Sequence, residues 1–185
     1  YVQHLLGTGH VVRAAALARA LVGQGVETVL VSGNSVPQTV DTAGFETIEL
    51  PAARAADETF SAVVDGAGRP ISPSWKTRRQ ARLLSIFDEV GPDILVTETW
   101  PFGRNAFAFE LEPLLKATHG LFPRPLVAAS VRDILVRKPE ADKERRMAER
   151  ARAAFDLVLV HGDPAFVRFE ESFPFADEID DLIRY

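Results

Sequence analysis

The chain has no cysteine. That excludes disulfides, thiol nucleophiles and thiolate metal sites, and it fits a reducing compartment; the cytoplasm is the expected location. No apolar run approaches the roughly 20 residues of a membrane helix, and no secretory signal is visible, so no transmembrane segment is expected. Basic charge is in deficit: 21 Lys and Arg stand against 26 Asp and Glu, a net charge of −5. With a pI near 5.4, nucleic-acid binding driven by charge is not expected. The four histidines are not spaced as a metal site. No bound metal or cofactor is expected. Internal repeats and low-complexity tracts are also lacking. What is present is 185 residues, 46% of them hydrophobic, enough for one sizeable domain with a real core.

Strand and helix patterns alternate along the chain. Val2 to Leu6, Thr28 to Ser32, Thr47 to Leu50, Ile94 to Thr97, Pro125 to Ser130 and Leu157 to Val160 read as six short apolar strands. Val11 to Gln24, Val36 to Ala43, Trp75 to Val90, Asn105 to His119 and Lys143 to Phe155 read as the helices between them. Pro164 to Ser172 and Asp177 to Arg184 read as short closing helices. In the Trp75–Val90 helix, Leu83, Leu84, Phe87 and Val90 form the apolar face, with Lys76, Arg78, Arg79 and Arg82 mostly elsewhere. Residues 51–73 show no period; a connection that long is commonly functional or mobile. Strands apolar throughout, separated by helices, indicate a parallel sheet covered on both faces. The expected fold is therefore α/β: one doubly wound, mostly parallel Rossmann-like sheet of six or seven strands over residues 1–185, helices on both faces.

Ligands of such sheets bind beyond the carboxyl ends of the strands. Four loops there carry polar residues straight after an apolar run: Gly7 to His10, Glu98 to Arg104, Val131 to Lys138 and His161 to Asp163. At the first, Gly7, Thr8 and Gly9 expose N–H groups at a helix N-terminus, where an anion is favoured. Val12 replaces the third glycine of a dinucleotide fingerprint, and Ser32-Gly33-Asn34 offers no acid for a ribose, so NAD and FAD are disfavoured. His10 follows the turn; a neutral imidazole there can act as a general base. His4, within the strand, reads as a packed residue. Glu98, at a strand tip, can bind sugar hydroxyls or move a proton, or else serve as a helix cap or a partner for Arg104. Arg132 and Asp133 can hold a phosphate and a hydroxyl, or form a weak surface pair. His161-Gly162-Asp163-Pro164 reads first as a helix start, with Asp163 as N-cap and exposed N–H groups beside it. The run Lys143 to Arg152 reads as a solvated helix face.

These blocks resemble a known family. GTGHVVRAAALARAL, TETWPFGR, SVRDILVRKP and FDLVLVHGDP look like a bacterial group of MurG-like glycosyltransferases of the GT-B class, over essentially all 185 residues. The likeness to MurG itself rests on the first turn and on element order; Leu6 precedes Gly7 where that turn has a further glycine. The resemblance implies the N-terminal, acceptor-side half of a two-domain enzyme that moves a sugar from a nucleotide-sugar donor, such as a UDP-sugar, to an acceptor hydroxyl. It implies a catalytic role for His10 and matches the family's turn to Gly7 and Gly9; Glu98, read from its place at the strand tip, is the second catalytic candidate. Substrate contacts would come from Gly7, Thr8, Gly9, Phe102, Gly103, Arg104, Arg132, Asp133, His161 and Asp163. The donor would be bound mainly by a C-terminal domain beyond this chain, and the chain alone would be inactive. The isolated half is expected to self-associate through apolar surface left bare. Two other readings stay open: an epimerase of the UDP-N-acetylglucosamine 2-epimerase type, and a non-catalytic Rossmann-like ligand-binding module.

Overall fold

A computed structural model describes residues 1–58, 62–138 and 140–185. The chain is α/β and forms two compact units, Tyr1–Gly91 and Pro92–Tyr185. Its parallel sheet of four strands lies in the second unit.

In the first unit, helix α1 spans Gly9–Gly23, followed by β1 (Val29–Ser32) and β2 (Glu46–Glu49), which pair in parallel. α1 packs small residues inward: Val11, Ala15, Val2, Leu30 and Val40 form one core cluster. The expected strand Val2–Leu6 is reduced to a single bridge between Val2 and Ser32. β1 ends at Ser32, and the next carbonyl, Gly33 O, accepts from Ala53 N and Arg79 Nη1 instead. The expected helix Val36–Ala43 is a series of turns. Pro37 brings no donor, and side chains take over the backbone there: Asn34 Oδ1 accepts from Ser35 N, Glu49 Oε1 from Val36 N and Asp41 Oδ1 from Ala43 N.

The aperiodic stretch after Leu50 holds a small antiparallel pair, β3 (Ala53–Ala55) and β4 (Val63–Asp65). Residues 59–61 of that stretch lie outside the described residues. α2 (Pro73–Val90) starts on a Ser72 cap whose Oγ accepts from Trp75 N at 3.2 Å, with Pro73 just inside. It ends on Gly91 in the left-handed region, φ +54°. Its buried face is Trp75, Arg79, Leu83, Ile86 and Phe87, so Arg79 lies on the apolar face and Val90 is exposed, against expectation. Arg79 is 0% exposed. Its guanidinium donates to Gly33 O (2.8 Å), Pro51 O (2.5 Å) and Gln3 Oε1 (2.5 Å). Spacing put Arg79 in the helix but off its buried face; what it could not show was that loop carbonyls, not water, would face that position.

In the second unit, β5 (Ile94–Glu98), β6 (Leu126–Arg132), β7 (Leu157–His161) and β8 (Ile183–Arg184) form the parallel sheet in the order β5-β6-β7-β8. α3 (Ala108–His119) and α4 (Ala141–Ala154) connect the first three strands. β6 is buried from Val127 to Val131, as a strand with both faces covered should be. The expected helices at the end are shorter: a turn over Asp163 to Val167 and 3₁₀ segments at Phe169–Glu171 and Ala176–Leu182. β8 occupies the end of the second one. The basic face of α4 is not simply solvated. Arg150 stacks over Trp100 at 5.2 Å and Arg145 over Phe175 at 5.0 Å, while Arg152 pairs with Asp181 at 2.6 Å.

Candidate functional site

The glycine turn of the first unit opens α1 as the sequence suggests, but only the Val2–Ser32 bridge stands where a strand was expected before it. Gly7 has φ +66°, a conformation glycine adopts without strain, and Thr8 is the N-cap residue of α1. The Thr8 side chain makes no cap bond; its carbonyl accepts from Val12 N at 2.9 Å. A Cβ added at Gly7 or Gly9 would meet no atom within 4 Å, so the space over the turn is open. His10 is half-buried in the first turn of the helix. His4 is buried, as expected.

The other candidate residues all belong to the second unit and gather at the carboxyl end of its sheet. β5 closes with Glu98, 3% exposed, whose Oε2 accepts from Thr99 Oγ1 at 2.7 Å. The loop that follows is tightly constrained. Thr99 and Arg104 both have positive φ, +69° and +60°, which side chains other than glycine rarely adopt. Thr99 N donates to Ser130 O, and Thr97 Oγ1 to Trp100 O. Gly103 lies under the Thr99 methyl, where a Cβ would come to 2.6 Å. Phe102 points inward, 4% exposed, edge-on to Phe169 and Phe173 at 5.4 and 5.2 Å. Its ring therefore supports the loop from beneath. Arg104 is half-buried and caps a 3₁₀ turn through its carbonyl.

Arg132 ends β6, exposed, in register with His161 at the end of β7. Asp133 turns onto the next loop: its carboxylate accepts from Ile134 N, and a Cβ on Gly162 would lie 2.5 Å from Asp133 Cβ. Asp163 caps a turn and not a helix, accepting from Ala165 N at 2.8 Å. Beneath these loops α4 contributes Glu144, which accepts from Lys138 N (2.8 Å) and Arg137 Nε (3.0 Å). Burial pushes the Glu144 carboxyl up, but those bonds outweigh it and hold it below the usual carboxylate range.

One residue escaped the sequence reading. Ser130, in the carboxyl half of β6, is 1% exposed, and its Oγ lies 2.7 Å from His161 Nε2. The available signal was a single hydroxyl closing the Ala- and Val-rich run 125–130. Among the described residues no three His, Asp or Glu side chains group as a metal site would require. No helix of the described residues is long and apolar enough to cross a membrane. Compared with known proteins, the chain matches no family model, no curated protein and no solved structure.

Proposed function

We propose that the chain is the acceptor-side domain, Rossmann-like and doubly wound, of a cytoplasmic GT-B glycosyltransferase that moves a sugar from a UDP-sugar to an acceptor hydroxyl. The observation that carries this reading is His10 in the first turn of α1, directly after a glycine turn with open space above it. An imidazole there can take the proton of a hydroxyl as it attacks an anomeric carbon. The N–H groups of the turn suit an anionic group on the same ligand. On the second unit, Glu98, Arg104, Arg132, Asp133, His161 and Asp163 offer acceptors and cations for hydroxyls and phosphates at one sheet edge. The donor, in this reading, is held mainly by a further domain.

The test uses the full-length protein with UDP-sugars and separates products by mass. Sugar transfer is expected, and His10→Ala lowers turnover about 10²-fold or more, with an unchanged urea midpoint. Unchanged turnover removes His10 from the mechanism. A free epimerised sugar formed without acceptor overturns the transferase reading in favour of the epimerase. Binding of a nucleotide sugar with no product at all favours the binding module.

A further inference from the structure

Thr99 carries a backbone its side chain should avoid. Its φ of +69° lies in the left-handed region, where glycine sits without strain and a β-branched residue is a clear outlier. Gly7, Gly25, Gly44, Gly68 and Gly91 take a positive φ elsewhere, so the chain uses glycine where the turn alone matters. An outlier of this kind persists where the surroundings over-determine it, and it points to a task for the side chain.

That side chain has two neighbours. Thr99 Oγ1 donates to Glu98 Oε2 at 2.7 Å. Thr99 Cγ2 lies against Gly103, where an added Cβ would come to 2.6 Å from it. Rotation about χ1 would disturb both contacts at once. The backbone is tied as well: Thr99 N donates to Ser130 O at 2.7 Å, and Thr97 Oγ1 to Trp100 O at 3.1 Å. Successive side chains of a strand point to opposite faces. An extended residue 99 would therefore carry its hydroxyl away from Glu98. The left-handed turn brings it back to the carboxyl of the residue just before. Glu98 is 3% exposed, and its own backbone is held as the ladder partner of Ser130.

We propose that Thr99 is a positioning residue: a strained threonine is kept at the end of β5 so that its hydroxyl sets the orientation of the Glu98 carboxyl. The terminal torsion of a glutamate is broad, and a donor fixed on one oxygen narrows it. The oriented carboxyl then selects the geometry in which a hydroxyl of a sugar or polyol can meet it at this sheet edge. This last step rests on the transferase reading; the positioning itself does not.

Carbon-13 spectra of the whole chain, labelled at the glutamate carboxyls and assigned with Glu98→Gln, test the positioning without any substrate. Thr99→Val keeps the branched shape and drops the hydroxyl, and it is expected to shift the Glu98 carboxyl resonance. Thr99→Ser keeps the hydroxyl and should leave that resonance near its wild-type position. A resonance unmoved in Thr99→Val overturns the proposal, as does one moved equally far in Thr99→Ser. The strain is read by urea denaturation. Thr99→Gly and Thr99→Ala both lack the hydroxyl and differ only in the Cβ on a left-handed backbone, so the glycine variant should have the higher midpoint. A glycine midpoint at or below that of alanine overturns the strained turn. If Thr99→Val does not fold, hydroxyl exchange at wild-type Thr99, read from the deuterium isotope shift on its Cβ, is compared with that of exposed Thr77. Exchange slower by about tenfold or more, the weight of one good hydrogen bond, supports the proposal; a smaller difference overturns it. A failure here leaves the His10 turnover test untouched, and the reverse also holds.

Discussion

Glycines at the loops of this chain serve two opposite ends, and substitution separates them. Gly162 has no room for a side chain, because Asp133 fills the space a Cβ would take. Gly162→Ala is expected to cost about 1–3 kcal/mol through overpacking, read as a lower urea midpoint. Gly9 sits in a helix with open space around it. Gly9→Ala should raise stability slightly, by about 0.5–1 kcal/mol at most. If the turn binds a ligand closely, the same substitution weakens binding while the midpoint holds or rises. A fall in stability for Gly9→Ala would show that the turn is packed against something. Both glycines read alike in the sequence. The difference lies in Asp133, which is 29 residues away from Gly162 and reaches it only because β6 and β7 are neighbours.

Elements were legible where a long period or a cap announced them. α1, α2, α3 and α4, and β5, β6 and β7, fall within a few residues of where apolar spacing puts them, while β8 stands where a helix was expected. The two misses of the first unit share a cause: a competing partner for the backbone. Side chains of Asn34, Asp41 and Glu49 bond the segment expected as a helix after β1. Ala53 and Arg79 take the Gly33 carbonyl beside the expected first strand. Propensity does not register partners that arrive from elsewhere in the chain. The caps of α2 give a direct check. Ser72→Ala removes the acceptor for Trp75 N and should destabilise by about 1 kcal/mol, with Ser72→Asp restoring most of it, both measured by urea denaturation.

Across the whole molecule, carboxyls held low are spread over both units. At Asp65 the Arg69 backbone N–H leads, followed by the Arg69 side chain. At Asp156 burial pushes upward, but the Arg124 side chain and Val127 N–H outweigh it. At Asp181 the Arg152 side chain leads. A carboxyl lowered on folding adds stability above its unfolded pKa, and that stability fades as pH falls through the folded value. Denaturation midpoints should therefore hold between about pH 7 and 5 and fall below about pH 4. A midpoint that rises on acidification would contradict this account. The class of fold was legible in the sequence, since apolar strands alternating with helices do give parallel pairing. The extent of each sheet was not, because it depends on which strands find neighbours. The Arg79 guanidinium bears on how this unit comes together during synthesis. It closes onto Gln3, Gly33 and Pro51, which are 76, 46 and 28 residues earlier in the chain. A nascent chain that has not yet exposed α2 leaves those carbonyls without this donor. The first unit can then fasten only late, after most of it has emerged, and such long-range closure slows folding.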